Sequence, residues 1–214
     1  MGKGPKPGGG SGGSGGPQGA AGKAAGGIFG DVASDLFRLG KSGKKNIDFL
    51  NPSPKVRDKA KKYGLPPSGG KRRPHIQSKK IPPGSTDLAE ATQKARRHQN
   101  DTSAKNYAAY RYIDKNGQEH ILVGRSQGTH SERSAGSALL DEIKKGNVRE
   151  VKEVYTERAP CSPKKGNCDE WLQEHLRNKY PKFKSSHSWN YDGTDGTNAQ
   201  VSAKIKKYAK GLMP

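Results

Sequence analysis

The chain has few of the residues that build a large apolar core or a covalent framework. Of its 214 residues only 29% are hydrophobic and 7% are aromatic, the mean hydropathy is -1.03, and there are two cysteines. So few apolar side chains cannot offset the entropy lost in ordering every residue. We therefore expect one compact part and one loose part. Two cysteines exclude a disulfide framework and leave either one disulfide or a pair of metal-binding thiolates.

Long apolar runs and acidic residues are also scarce. No apolar run approaches the roughly 18 residues that a membrane-spanning helix requires, so the sequence predicts no membrane span. Lys and Arg number 40 against 20 Asp and Glu, which gives a formal net charge of +20. Because such a charge attracts polyphosphate of any sequence, we expect a nucleic acid as partner. Basic segments can also be merely solvated or bind other acidic surfaces, and the charge alone leaves that alternative open.

The first 84 residues have the composition of a disordered or linker region. Residues 1–30 are mostly Gly, and residues 41–83 combine prolines and glycines with runs of basic residues. Neither stretch has sustained apolar periodicity, and the apolar spacing over residues 28–37 predicts one short helix at most. The sequence therefore predicts a loose basic region over residues 1–84 and a compact domain over residues 85–214.

Apolar periodicity predicts a layered α/β domain after residue 85. Strand-like runs at Tyr107–Asp114 and 118–124 flank the pair Asn116-Gly117, which is typical of a β-hairpin turn. Further strands are predicted over residues 148–156 and 183–191, and helices over residues 85–98, 130–145, 168–180 and 198–212. This order favours helices packed on a sheet of four or more strands. The last two strands are joined through a helix, which predicts that they pair in parallel.

Three metal-binding side chains occur where two of these helices begin. His130 opens the helix that follows the hairpin, while Pro160-Cys161 and Cys168 lead into the next one. Each helix follows a strand, so we expect the two helix N-termini to meet at one edge of the sheet. One imidazole and two thiolates are three ligands for a tetrahedral zinc ion with its fourth position left for water, as in catalytic sites.

Glu132 lies two residues after the histidine, where its carboxylate can reach a metal-bound water without acting as a ligand. Zinc lowers the pKa of such a water to around 7, which makes it a nucleophile for an electron-poor ring carbon. Glu132 is then expected to move protons from the water to the ring nitrogen and to the departing amine. The product is a carbonyl, and ammonia is released.

The pattern His130-Ser131-Glu132 followed by Pro160-Cys161 and Cys168 resembles the signature of zinc nucleobase deaminases, H-x-E with P-C-x-x-C. Within that superfamily the chain is most similar to the C-terminal deaminase domains of bacterial polymorphic toxins. The resemblance implies a cytidine-deaminase-like layered α/β/α domain with a mixed sheet of four or five strands. It also implies hydrolysis of cytosine to uracil in DNA, secretion or delivery into target cells with action in their cytoplasm, and a cognate immunity protein. In this chain six residues separate the two cysteines instead of two.

Three more residues are considered for contacts with the substrate base. In the family, the residue at the position of Ser131 contacts the target base, although Ser131 is equally interpretable as an ordinary first residue of a helix. Trp189 and Tyr191 have the chemistry to stack on a base, but an aromatic stripe on a strand is more often core.

Two alternatives to a DNA cytosine deaminase stay open at this point. RNA or adenine could be the substrate, because the motif does not define the base-facing residues. The chain could also be a non-enzymatic nucleic-acid-binding module with a structural zinc, whose fourth ligand would be His175 or His187.

Overall fold

The computed structural model describes residues 1, 27–70, 72–162, 166–190 and 192–214. Seven strands occur in this part of the chain: β1 (Leu36–Ser42), β2 (Lys45–Leu50), β3 (Ser78–Lys80), β4 (Tyr107–Asp114), β5 (Glu119–Arg125), β6 (Val148–Arg158) and β7 (Lys184–Trp189). The α-helices are α1 (Pro54–Lys62), α2 (Asp87–Gln99), α3 (Ser131–Lys144), α4 (Cys168–Leu172) and α5 (Asn198–Gly211). A 3₁₀ helix, Gly30–Asp35, precedes β1, and a π-helical turn, Gln173–Arg177, continues α4.

All seven strands form one mixed sheet in the order β1-β2-β5-β4-β6-β7-β3. Strand β4 is antiparallel to both of its neighbours, β5 and β6, so these two strands run in the same direction. Their C-terminal ends therefore meet at one edge of the sheet, where α3 and α4 begin. Strands β6 and β7 pair in parallel, as the sequence predicted.

Helices cover both faces of the sheet. On β4 the side chains of Tyr110 and Tyr112 belong to a core cluster with α1, α3 and α4. The alternate residues Tyr107 and Ala109 belong to a second cluster with α2 on the opposite face. Helix α5 packs on the second face through a small cluster that includes Trp189. The predicted layered α/β/α fold is confirmed, but its sheet has seven strands instead of four or five.

The additional strands come from the segment that was expected to be a linker. Strands β1, β2 and β3 and helix α1 all lie before residue 85, so the prediction of a disordered region is wrong for these elements. Ile47 and Phe49 are fully buried on β2, which pairs in parallel with the distant β5. A strand this short acquires its stability from its partner, which local periodicity does not reveal.

Of the one short helix that the spacing over residues 28–37 allowed, the chain forms only the 3₁₀ helix, Gly30–Asp35, and then enters β1. Residues 2–26 of the Gly-rich stretch lie outside the described residues. The predicted start of the compact domain at residue 85 stays a prediction. None of the helices in the described ranges is long and apolar enough to span a membrane.

Candidate metal centre and active-site cleft

The structure brings the three predicted metal ligands together. His130 is the N-cap residue of α3, Cys161 follows β6, and Cys168 is the first residue of α4. Their ligand atoms all lie within 4.8 Å of one another, and His130 Nδ1 is 3.4 Å from Cys161 Sγ. Ligands of a tetrahedral zinc ion, bonded at roughly 2.0–2.3 Å, lie about 3.5 Å apart. Both cysteines are buried free thiols, so the residues present fit a zinc ion.

Backbone geometry explains why six residues can separate the two cysteines. Asn167, which precedes α4, adopts a left-handed conformation with φ of 57°, and the Asp169 amide donates to the Cys161 carbonyl at 3.2 Å. The two described ends of the linker are therefore held together, and both sulfurs lie in the cluster. Residues 163–165 in the middle of this linker lie outside the described residues.

The charges of the cluster favour a metal-binding thiolate. The hydrogen bond from Cys168, together with one from His130, lowers the pKa of the Cys161 thiol. The same contact with Cys161, together with burial, raises the pKa of Cys168, and the hydrogen bond to Cys161 raises the pKa of His130. Thiolates are the form of cysteine that binds metals, so Cys161 is already prepared as a ligand.

Glu132 is buried beside the cluster, with 2% of its surface exposed. Burial, and then the charge of Cys161, raises the pKa of its carboxyl group to about 7. Electrostatic interactions of Glu132 also reach His130 and Cys168. Its backbone is fixed because the Tyr110 hydroxyl donates to the Glu132 carbonyl at 2.7 Å. A carboxyl group with a pKa near neutrality can both accept and donate a proton.

Ser131 connects Glu132 to a chain of hydrogen bonds. Its hydroxyl donates to Glu132 Oε2 at 3.1 Å and accepts from the Asn106 side-chain amide at 2.9 Å. The Ser131 amide already donates to Ser126 Oγ at 3.1 Å. Ser131 is fully buried, and its polar groups hold the site together. A contact between Ser131 and a base stays a prediction.

Asn106 also belongs to this chain of hydrogen bonds, although the sequence did not indicate it. Its Oδ1 accepts from the backbone amide of Arg158 at 2.9 Å, so Asn106 joins the start of β4 to the end of β6. The only sequence signal was a polar residue just before a strand, which is too common to single out a residue.

A buried ion pair fixes the loop that carries Asn106. Arg96 donates to both carboxylate oxygens of Glu157, at 2.6 and 2.7 Å, and both residues are fully buried. Arg96 also donates to three loop carbonyls, those of Asp101, Ser103 and Lys105. This pair joins α2 to β6 and the loop between α2 and β4.

Gly166 packs directly against the His130 ring. A Cβ atom at Gly166 would lie 2.7 Å from both Cε1 and Nε2 of His130, and the φ of Gly166 is +136°. The Gly166 carbonyl accepts a hydrogen bond from Arg133 Nη2 at 2.5 Å. Only glycine combines this backbone conformation with so close an approach.

An open cleft of about 420 Å³ gives access to the site. Its described lining is Ala104, Lys105, Asn106, Ser126, Gly128, Thr129, His130 and Arg158. Two larger clefts, of about 660 and 570 Å³, are lined by other residues and contain no member of the His130, Cys161 and Cys168 cluster. Of these three clefts the smaller one is the candidate active-site cleft, because its lining includes the candidate ligand His130.

Trp189 is not part of the described lining, although it pairs across strands with Arg158, which is. It is 9% exposed and packs against Tyr208 of α5 at a ring-centroid distance of 5.2 Å. Its predicted stacking on a base is not tested by this position, and Tyr191 lies outside the described residues. The two histidines considered as structural ligands are engaged elsewhere: His175 Nε2 lies 3.1 Å from the Gly64 carbonyl, and His187 bonds Ser78 and Asn190.

Comparison with known proteins agrees with this geometry. Residues 103–208 match the family described as Xanthomonas-like deaminase. No curated protein and no solved structure matches the chain. The match includes all three candidate ligands and Glu132. Over residues 103–208, this chain therefore carries a deaminase domain.

Proposed function

We propose that the chain is a zinc-dependent hydrolytic deaminase that converts cytosine to uracil in DNA. The observation that carries the proposal is the buried carboxyl group of Glu132 beside the imidazole of His130 and the two thiols. The family match supports deamination, and the donor set supports zinc. Together they support a site in which a proton-transfer group would adjoin a Lewis acid.

Bound by His130, Cys161 and Cys168, a zinc ion would supply an activated water at neutral pH. Glu132 accepts a proton from the attacking water at its carboxylate and donates it to the ring nitrogen of cytosine. The water oxygen bonds to ring carbon C4, Glu132 takes the remaining proton from that oxygen and passes it to the amino nitrogen, and the bond from C4 to this nitrogen breaks as ammonia departs and the C4 carbonyl forms. The Ser131 hydroxyl holds Glu132 Oε2 in place during both transfers.

The position of the histidines favours a catalytic zinc over a structural one. A closed structural site needs a fourth protein ligand, and the two histidines considered for it are hydrogen-bonded elsewhere. Neither His175 nor His187 is therefore available as the fourth ligand that the non-enzymatic alternative requires.

Cytosine and DNA are supported by the resemblance to toxin deaminases, and the net charge of +20 supports a nucleic-acid substrate in general. RNA and adenine are the alternatives to be distinguished by experiment. The same resemblance supports a toxin that is secreted or delivered into target cells, acts in their cytoplasm and is neutralised by an immunity protein. Growth arrest of bacteria that express the chain, absent with Glu132→Gln, is the result expected of such a toxin.

The test is incubation of the purified full chain with a defined mixture of DNA and RNA oligonucleotides, followed by sequencing and an ammonia assay. We expect uracil at cytosine positions in DNA, with release of one ammonia per converted base. Glu132→Gln should lower the rate by about 10²- to 10⁴-fold, the usual contribution of a general acid-base group.

Glu142→Gln is the matched control, because Glu142 is a second buried glutamate of α3 that bonds Lys145 and Asn147. It should retain activity. Conversion of bases in RNA would mean that RNA is the substrate, and inosine at adenine positions would mean that adenine is the target base. Equal rates for Glu132→Gln and the unmodified chain would refute the deaminase mechanism.

A further inference from the structure

The described lining of the cleft that leads to the site includes basic side chains and no acidic ones. Lys105 and Arg158 line it beside His130, and its described lining contains no acidic side chain. Within the described residues no carboxylate is within ion-pair distance of Lys105, which is exposed. A cation in this position keeps its charge available for a ligand in the cleft.

A third cation at the cleft comes from outside the deaminase match. Arg57 lies on α1, and its side chain packs on Gly128, which lines the cleft. A Cβ atom at Gly128 would lie 2.6 Å from Arg57 Cδ, so the two segments touch. The Arg57 guanidinium donates to the Pro52 carbonyl at 3.3 Å, a contact that leaves its charge unneutralised. We call Arg57 and Lys105 the cation rim.

The cleft of about 660 Å³ shows the contrasting arrangement. It contains Arg111 and Lys152, but Arg111 pairs with Asp87, Glu119 and Glu153, and Lys152 pairs with Glu119. Two of the five basic residues in its lining are thus paired with carboxylates, and the lining itself contains Glu119, Glu150 and Glu153. High net charge therefore does not by itself keep carboxylates out of a cleft, because the two clefts belong to the same basic chain.

We propose that the cation rim binds backbone phosphates of a nucleic-acid strand whose base enters the cleft toward His130. The identity of that base rests on the proposed function, whereas the phosphate contacts do not. Because α1 precedes the segment that matches the deaminase family, the N-terminal elements contribute directly to substrate binding. The rim also favours a polymer over a free nucleoside, which has no phosphate to contact.

The test measures binding separately from chemistry. The full chain carrying Glu132→Gln is titrated by fluorescence anisotropy against a labelled single-stranded DNA and an RNA of the same sequence, over a series of salt concentrations. Arg57→Gln, Lys105→Gln and their combination are introduced into this background. Lys182→Gln is the matched control, since Lys182 lines the cleft of about 660 Å³ and its substitution removes the same charge.

Each rim substitution should weaken binding of both strands and lower the salt slope by about 0.7, the value for one single-strand phosphate contact. The combined variant should lower it by about twice that amount, with an unchanged circular dichroism spectrum. Lys105→Gln, at an exposed loop residue, keeps the test informative if the Arg57 variant fails to fold. Rim variants that bind with the same affinity and salt slope as Lys182→Gln would overturn the proposal. If the rim substitutions weaken binding but the chain deaminates no base, the proposed deaminase function is refuted and the proposed phosphate binding by the cation rim is retained.

Discussion

Glu132 and Glu157 are both buried glutamates near the same edge of the sheet, but their neighbours differ. Glu157 accepts two hydrogen bonds from Arg96 and one from the Tyr107 amide. Glu132 accepts from the Ser131 hydroxyl and adjoins the Cys161 thiolate, and no cationic side chain forms an ion pair with it among the described residues. Burial raises the pKa of both carboxyl groups.

The comparison teaches that burial alone does not make a catalytic acid. The carboxylate of Glu157 is held in one arrangement by a bidentate guanidinium, so it serves structure. Glu132 is held through its backbone and one hydroxyl, which leaves a carboxyl oxygen available for proton exchange. A buried charge without a cationic partner is costly and is retained where it has chemical use.

The largest expected effect would come from breaking the ion pair. Arg96→Met leaves the Glu157 carboxylate buried without its partner, and we expect a loss of about 3–5 kcal/mol in the free energy of unfolding. Urea unfolding of the full chain measures it. Glu132→Gln is the control and should not destabilise the chain, because it removes a buried charge that has no cationic partner. A loss below about 1 kcal/mol for Arg96→Met would mean that the pair does not hold the fold together.

A smaller effect, on zinc affinity, is expected from a substitution beside the His130 ring. Gly166→Ala places a methyl group against the His130 ring and strains a backbone φ of +136°. We expect zinc affinity to fall about 10- to 100-fold, as for other residues that orient a metal ligand. Competition with a zinc chelator measures this affinity, and Gly146→Ala, where a Cβ meets nothing within 4 Å, is the matched glycine control with φ of +75°. Equal zinc affinities in the two variants would contradict the role of Gly166.

The smallest expected effect concerns the support of Glu132. Ser131→Ala removes the hydroxyl that bonds Glu132 Oε2 and Asn106 Nδ2. A single neutral hydrogen bond contributes about 1 kcal/mol, so kcat should fall about fivefold with little change in KM. A rise in KM at constant kcat would instead place Ser131 in contact with the substrate base.

Much of the site could be predicted from the sequence, because its residues lie close together in two local motifs. His130 and Glu132 share the start of one helix, and Cys161 and Cys168 flank the start of another. Each motif follows a strand, and strand direction then brings the motifs to the same edge. The hairpin was predictable for the same local reason, since Asn116-Gly117 determines its turn.

The parts that could not be predicted depend on contacts between distant segments. Strand β2 has only six residues, and its pairing with β5 is invisible to local periodicity. Arg96 looks like a surface cation of a polar helix, and only the fold shows that it meets Glu157. Asn106 and Gly166 have no periodic or motif signal, because their importance comes from the atoms that they touch.

The most direct test of the account is X-ray absorption spectroscopy at the zinc edge of the purified full chain, with metal content measured on the same sample. We predict one zinc ion per chain, coordinated by one imidazole nitrogen, two sulfurs at about 2.3 Å and one oxygen from solvent. Cys161→Ser and Cys168→Ser should each remove one sulfur. Absence of zinc, or a fourth ligand from the protein in place of the solvent oxygen, would contradict the catalytic site described for His130, Cys161 and Cys168.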